Sequence, residues 1–517
     1  RCDIITDSFR LGTSALRRRM ALAPSSEFLS RKDRKFQIPA KPRHCTGNSL
    51  PLFCRLKELL PKPGLCGFTE RMTQRMNDSV EFIPLAPGVR FCTVRASKFK
   101  TCRISLAAAV PLREETASAN AMLPFLLHRC CAKYPDFTTM NKKLAEAYGA
   151  RVSAGVEKVG EAQVMRISIT CIADRFAFDG DGAVTECVKL LCELFFHPHV
   201  ENGAFDAQDV EREKRLLLER IENERNDKRT YALRRCEALM CEHEAYGINR
   251  YGTPENVKSL TPQRLYEAWK ALLSSGRLQF NLVGEADVRA AQSLLKEELS
   301  RIEREATPAD AWETQIIPRA EQPRRVEERL PVQQGKLVLG YRMGYEQAPE
   351  DFSAVNVMVN VFGGSPQSLL FQNVREKLSL CYYCSARLFR QKGVMMVQSG
   401  VEFENAERAI TEISKQLDAV RAGEFTHDDF DASVKSLADD YERLGGTPEE
   451  LDDWYAFRLL EEAPAAPQSL AAQIRKVTRE QAVEPPHPVS MTPIIAMVTR
   501  SVMSFFMVSN LLCFIFY

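Results

Sequence analysis

The sequence has little of what marks several common classes of protein. Its 517 residues carry a net charge of only +2, so no overall basic field would attract nucleic acid or an anionic membrane. The run RRRMALA is too short and too weakly apolar for a secretory signal. The 16 cysteines form no compact framework. We therefore expect a cytoplasmic protein with reduced thiols and no nucleic-acid partner.

The two ends of the chain differ in composition from its middle. Residues 1–71 are rich in Arg, Pro and Cys and show little periodicity, which favours an over-extended reading frame over a disordered extension. Residues 486–517 finish in SVMSFFMVSNLLCFIFY, which is shorter than the ~20 residues of a spanning helix, and Arg500 interrupts the apolar stretch before it. A tail anchor, an altered frame and a buried terminal strand remain open, and we favour the two non-membrane alternatives.

The middle of the chain repeats itself once. In the first half a strand-like run, RISLAAAVPL, precedes the helical stretch ETASANAMLPFLLHRCCAKY, the paired strand-like runs RVSAGVEKV and AQVMRISITC, and the helical run DAQDVEREKRLLLERIENERND. The second half follows the same order, from KLVLGYRMGY through DFSAVNVMVNVFGG, SLLFQNVREKLSL, CYYCSARLFR and GVMMVQSGVE to THDDFDASVKSLADDYERL. The offset of roughly 220–235 residues is too long for a solenoid unit and predicts a duplicated α+β domain.

Composition sets the boundaries of the two predicted domains. We assign residues 72–300 to the first domain and residues 333–485 to the second. The segment between them, residues 301–332, contains proline, is charged and has weak periodicity, which is typical of a linker. Two similar domains on one chain would face each other across a cavity.

The duplicated domain and the motif SLLFQNVREKLSLCYY resemble the insulinase/pitrilysin metallopeptidases over residues 78–485. The resemblance implies two homologous α+β domains, each a mainly antiparallel sheet covered by helices, which close as a clamshell around an extended peptide. Active members of that family carry the inverted zinc motif H-x-x-E-H on a helix of the first domain. A glutamate from a later helix is their third protein ligand.

In this chain the matching stretch is PFLLH, with Pro124 at the first histidine, Leu127 at the general base and only His128 retained. Since an interior proline disrupts a helix, we expect Pro124 near a helix start or at a kink. The best register places Arg220 at the third ligand, although Glu213 and Glu219 are near enough to leave the register open. Leucine cannot accept a proton, and arginine stays charged and would repel the ion. The resemblance therefore implies a first domain without metal or base, in which His128 is structural.

The second domain keeps more of the family pattern. In active members an arginine and a tyrosine of the R-E-K…Y segment help to hold the reacting carbonyl, and here they correspond to Arg375 and Tyr382. A fixed cation and a phenol suit that role, because both stabilise a developing oxyanion. The structural alternative, an arginine paired with a nearby carboxylate and a tyrosine packed in the sheet, remains open.

Three hypotheses follow. The leading one is a non-catalytic subunit without a cofactor, which binds a peptide or protein and forms a heterodimer with a zinc-bearing sibling. It is similar to a metal-less subgroup associated with 5-aminopentanol modification of elongation factor P. The second is an autonomous zinc peptidase with a displaced site built from His128 with Glu213 or Glu219. The third is a pure interaction scaffold.

Two cysteine groups carry weaker signals. Cys381 and Cys384 form C-x-x-C, but they begin a strand-like run, whereas the redox motif needs a helix N-terminus to activate its thiolate. We expect core or sheet packing there. Cys236, Cys241 and His243 match no standard zinc spacing.

Overall fold

The computed structural model describes residues 79–178, 182–330, 332–345 and 351–483, together with the backbone of the strand Ile494–Arg500. The predictions for residues 1–71 and for residues 501–517 lie outside this part of the chain. Among the residues that are described, no helix combines the length and the apolar character needed to cross a bilayer.

The first half of the chain builds a six-stranded sheet in the order β1-β2-β8-β3-β5-β4. All neighbouring strands are antiparallel except β2 and β8, which run parallel. A separate two-stranded ribbon pairs β6 with β7. The strands are β1 (Ser79–Ala86), β2 (Val89–Arg95), β3 (Thr101–Pro111), β4 (Arg151–Val159), β5 (Ala162–Ile172), β6 (Val200–Glu201), β7 (Ala204–Phe205) and β8 (Arg277–Val283).

The first half has helices that cover one face of this sheet and one, Lys228–Met240, that packs on the sheet of the second half instead. They are α1 (Glu114–Leu127), α2 (Phe137–Glu146), α3 (Ala183–Phe196), α4 (Ala207–Asn226), α5 (Lys228–Met240), α6 (Pro254–Lys258), α7 (Pro262–Ser275) and α8 (Val288–Leu299). Side chains alternate across a strand, so Ile104 and Leu106 of β3 join Phe280 of β8 in the largest apolar core.

The second half repeats this topology with five strands in the order β11-β12-β10-β13-β9. Here the parallel pair is β9 with β13, which corresponds to β2 with β8. The strands are β9 (Arg324–Leu330), β10 (Gly335–Arg342), β11 (Cys381–Phe389), β12 (Val394–Val401) and β13 (Ile494–Arg500). The atypical C-terminal segment thus supplies the counterpart of β8, and the predicted linker contains β9.

The helices of the second half are α9 (Ser353–Val359), α10 (Ala406–Arg421), α11 (His427–Arg443), α12 (Pro448–Ala456), α13 (Pro467–Ile474) and α14 (Arg479–Val483), with π-helical segments over Asn360–Gly364 and Leu370–Lys377. The predicted fold class, two α+β domains with mainly antiparallel sheets covered by helices, is confirmed.

Each half lends a helix to the sheet of the other half. Helix α5, from the first half, packs on β10 and β13. Its Cys236 and Met240 join Val338 in an apolar cluster, and Gly340 permits the approach, since a Cβ there would lie 2.9 Å from the Met240 sulfur. Helix α12, from the second half, packs on β3 and β8 in return. Both faces of each sheet are therefore covered.

The contact between α12 and the first sheet centres on the carboxylate of Asp452, which has no exposed surface. It accepts hydrogen bonds from Ser105 and from Asn281 (2.8 Å), and it pairs with Arg103 at 3.3 Å. Arg166 lies 3.9 Å away and bonds the neighbouring Asp453. One carboxylate thus satisfies donors from two strands of the other half.

A second polar contact joins the tips of the β4–β5 and β11–β12 hairpins. The Lys392 ammonium is fully buried and pairs with Glu161 at 2.5 Å and with Glu244 at 2.6 Å. Glu244 also pairs with Arg342. Burial opposes ionisation of Glu244, yet the hydrogen bonds from Arg342 and Lys392 hold its pKa below the ordinary value. The two hairpins are therefore fixed to each other by buried charge.

Asp452→Ala should lower the free energy of unfolding by about 3–5 kcal/mol, because it leaves Arg103 buried without its counter-ion. Asp431→Ala, at an exposed position of α11, is the matched control and should change it by less than about 0.5 kcal/mol. Urea denaturation followed by circular dichroism measures both. Equal midpoints for the two variants would show that the Asp452 network does not hold the halves together.

Candidate functional site

His128, the histidine retained from the zinc motif, is the C-terminal cap of α1. Its Nδ1 lies 2.8 Å from the carbonyl oxygen of Phe125, so this nitrogen carries the ring proton. Burial lowers the pKa of His128 to about 4, and the nearby Arg129 and Arg220 cations act in the same direction. The imidazole is therefore neutral at physiological pH and hydrogen-bonded within its own helix.

The other two positions of the motif are part of the hydrophobic core. Leu127 is almost completely buried in the main apolar cluster. Pro124 is also buried, and it lies in the last turn of α1 rather than at its start. A proline at this position has no N–H to donate to the carbonyl of Asn120, so α1 lacks one bond of its hydrogen-bond ladder there. The side chains at these positions pack against the sheet and offer no group to a metal.

The three candidates on α4 lie in different environments. Glu213 is 2% exposed and pairs with Arg129 (3.4 Å) and Arg212 (3.8 Å), while burial raises its pKa. Glu219 is exposed on the outer face of the helix. Arg220 stacks on the ring of Phe125, with its guanidinium carbon 4.0 Å from the ring centroid. The arginine therefore lies beside the remains of the motif.

The arrangement is unsuited to a divalent cation. Zinc needs three or four ligands from His, Cys, Asp or Glu, and no group of three such side chains with suitable geometry occurs among the described residues. Glu213, the buried carboxylate among the candidate ligands, is already paired with guanidinium groups. Positive charge from Arg129 and Arg220 also faces His128. The residues present do not fit the family's zinc.

Arg375 lies in the π-helical segment Leu370–Lys377, and Tyr382 lies at the beginning of β11, which is an outer strand of the second sheet. Arg375 stacks on the Phe371 ring at 4.5 Å, and its Nε is 3.6 Å from a carboxylate oxygen of Glu376. Tyr382 is the extra residue of a β-bulge between Cys381 and Tyr383 and is 66% exposed. A bulge redirects the side chain that it carries. Tyr382 is therefore not packed in the sheet.

The structure does not join these two groups of residues directly. In the described part of the chain, no hydrogen bond or ion pair links Arg375 or Tyr382 to His128 or Arg220. The first group is on α1 and α4, beside the sheet edge formed by β4, and the second is on the edge formed by β11. A Cβ on Gly160 would lie 3.7 Å from that of Gln391, so the hairpins that carry the two edges meet at their tips.

Both cysteine groups are buried. Cys381 and Cys384 lie in the core beneath the second sheet, and their mutual hydrogen bond lowers the pKa of Cys381 to about 7. Cys236 and Cys241 lie between α5 and β10. Sequence reasoning missed Arg129, the partner of Glu213, because 84 residues separate the two and no local pattern connects them.

We expect His128 to make the protein less stable as the pH falls from about 6.5 to about 4. The pKa of His128 is about 4 in the folded protein and about 6.5 in the unfolded chain. Between these two pH values the unfolded state therefore binds more protons than the folded state. Between pH 6.5 and pH 4 the free energy of unfolding should fall by about 2 kcal/mol less in His128→Gln than in the wild type. His427→Gln, at an exposed position, is the control and should follow the wild type. Identical pH profiles for all three proteins would contradict a neutral, half-buried imidazole.

The purified chain should retain far less than one equivalent of zinc after incubation with Zn²⁺ and gel filtration, as measured by elemental analysis. The physical reason is that Pro124 and Leu127 offer no ligand atoms beside His128, and the Arg220 cation repels the ion. Stoichiometric zinc together with chelator-sensitive peptide cleavage would instead establish the autonomous peptidase.

Comparison with known proteins agrees with this site. Residues 259–437 match the family model described as the peptidase M16 inactive domain. The chain is 32% identical over 350 residues to the "Probable inactive metalloprotease YmfF" of Bacillus subtilis (strain 168), covering 68% of this chain and 81% of that protein. It is 22% identical over 367 residues to the "Uncharacterized zinc protease SCO5738" of Streptomyces coelicolor, covering 68% and 74% of the two chains.

Solved structures agree on the fold. A conserved protein from Enterococcus faecalis V583 superposes with a TM-score of 0.74 at 25% identity, covering 82% of this chain and 99% of that one. The peptidase M16 inactive domain from Pseudomonas fluorescens gives 0.67 at 16% identity with the same coverage, which supports the fold alone. The predicted clamshell class of two-domain fold is confirmed. Given its similarity to the Bacillus protein over four-fifths of that protein's length, the chain belongs to the M16 peptidase family, in the subgroup of inactive homologues.

Proposed function

We propose that the protein is a non-catalytic M16 subunit that binds an extended peptide and forms a heterodimer with a zinc-bearing sibling of the same fold. One observation supports this most strongly. The motif positions Pro124 and Leu127 are buried in the core, whereas Arg375 and Tyr382 of the second half remain accessible. In the first half the motif positions that would hold the metal are part of the hydrophobic core, whereas in the second half the side chains that would contact substrate are accessible.

Peptide would bind by adding a strand to a sheet. Strands β4 and β11 are each one of the two outer strands of their sheet, and each pairs on one side only within the described residues. Such an edge presents unpaired N–H and C=O groups that an extended peptide can bond. The backbone would supply affinity, and neighbouring side chains would supply the choice of sequence.

Arg375 and Tyr382 would act on the scissile carbonyl held at the sibling's zinc. A cation and a phenol placed in advance stabilise the oxyanion more than water can, because they need not reorient during the reaction. Stacking on Phe371 limits the freedom of the Arg375 guanidinium, and the bulge directs Tyr382 outward. Both features suit groups that must reach another chain.

The same proposal places the pair in the cytoplasm, in the modification of elongation factor P. The resemblance to the metal-less subgroup motivates the pathway. All eleven cysteines in the described part of the chain are free thiols, which is compatible with a reducing compartment. A pull-down of the tagged chain, probed for the pathway proteins, tests this assignment separately from the catalytic one.

Arg375→Ala and Tyr382→Phe should each lower kcat of the reconstituted pair by about 10²–10³-fold, the usual effect of removing one oxyanion-stabilising group. The control is Lys377→Ala, an exposed cation in the same π-helical segment. Peptide cleavage is measured with both purified chains at equal concentration.

Unchanged activity in both site variants would remove the catalytic-support role. A complex with the pathway proteins that survives both substitutions, from a pair that cleaves no peptide, would establish an interaction scaffold instead.

A further inference from the structure

Arg220 carries a guanidinium group with no acceptor. Its Nε is buried and has no hydrogen-bond partner. Among the described residues, no carboxylate lies within ion-pair distance of Arg220 and no hydrogen bond joins it to another side chain. The guanidinium stacks on the Phe125 ring, with its carbon 4.0 Å from the ring centroid. A buried polar group without a partner in a native protein needs an explanation, and a bound water or ligand is one such explanation.

The nearby carboxylates make their ion pairs with other arginines. Glu213 is shared by Arg129 and Arg212, and Arg212 also bonds Asp209. These four groups carry two positive and two negative charges. His128 is neutral, so these four groups together with Arg220 carry one net positive charge. Arg220 is the one cation of the five without an ion-pair contact in the described part of the chain, although its charge acts on Glu213 at longer range.

The position of Arg220 is beside the free edge of the first sheet. Helix α1, which carries Phe125, packs on β4 and β5. Further along α4, Glu224 pairs with Arg250 at 2.5 Å, and the charge of Arg250 interacts in turn with that of Glu157 on β4. Those three groups carry one net negative charge, but among the described residues no ion pair or hydrogen bond joins Arg220 to either carboxylate. A strand added to β4 would therefore run past a cation that stacks on Phe125 and has no ion-pair partner among the described residues.

We infer that Arg220 binds a carboxylate of the peptide that lies along β4. This rests on the proposed function and names the class of peptide, one with an acidic side chain or a free C-terminus at this point. The planar guanidinium matches a carboxylate with two parallel hydrogen bonds, and stacking on an aromatic face holds the plane still. One carboxylate brings the cluster to zero net charge.

Three fluorescein-labelled ten-residue peptides of alternating Val and a polar residue test the inference by fluorescence anisotropy with the full chain. The first has Glu at the polar positions and an amidated C-terminus. The second has Gln instead, and the third is the Gln peptide with a free C-terminus. The wild type should bind one of the two carboxylate-bearing peptides at least about tenfold more tightly than the amidated Gln peptide.

The variants assign that preference to Arg220. In Arg220→Gln the preference should fall below about twofold, and in Arg220→Lys, which keeps the charge without the planar fork, it should be intermediate. Arg215→Gln, at an exposed position of the same helix, should retain the wild-type preference. Preference for the Glu peptide assigns a side-chain carboxylate, and preference for the free C-terminus assigns a terminal one. A preference that survives in Arg220→Gln would overturn the inference.

Failure of this inference differs from failure of the proposed function. Equal affinity of the wild type for all three peptides would overturn the carboxylate site and leave peptide binding intact. If no peptide binds, the proposed peptide recognition is wrong. The carboxylate site is then tested separately, with glutarate as the ligand. Glutarate should raise the Tm of the wild type, but not of Arg220→Gln, relative to sodium chloride of equal ionic strength. No difference between the two proteins would overturn the site.

Discussion

The buried carboxylate of Asp452 makes the two halves of the chain dependent on each other. It comes from the second half, yet its donors are on β3 and β8 of the first sheet. Such a group is favourable only when every partner is in place, because a buried charge without its counter-ion is strongly destabilising. The reciprocal contact, in which α5 covers the second sheet, is mostly apolar. Together the exchanged helices convert two half-covered sheets into one continuous structure.

Covering both faces of each sheet determines where a ligand can bind. A peptide cannot lie on a face that already carries helices, so the backbone groups left for it are at the outer strands, and β4 and β11 are the outer strands beside Arg220 and Tyr382. The buried Lys392 fixes the hairpins that end these strands. The two edge strands are therefore held at a fixed position relative to each other where their hairpins meet. Arg220 lies beside the β4 edge, and Tyr382 lies on the β11 edge.

The sequence predicts the elements of this fold better than their contacts. The paired runs RVSAGVEKV and AQVMRISITC became β4 and β5, and their repeats became β11 and β12. By contrast, Ser105, Gln279 and Asn281 alternate with apolar residues as on a solvent-facing strand, but all three are buried under α12. The periodicity of a sequence shows that one face of a strand is polar. It does not show whether that face contacts solvent or a helix from elsewhere in the chain. In the site, the identities at Pro124 and Leu127 could be read directly, whereas the stacking of Arg220 on Phe125 depends on tertiary packing alone.

The loss of zinc is distributed over several side chains, and this explains why it cannot be reversed at the motif alone. A glutamate at Leu127 would place a carboxylate in an apolar core, where burial would hold it protonated and unable to act as a base. A histidine at Pro124 would face the same core. Arg129 and Arg220 would still repel a divalent ion from His128, and Glu213 would still be paired with arginines. Guanidinium groups have taken over the charge compensation that a metal would provide. The same exchange that excludes a cation leaves Arg220 suited to an anion.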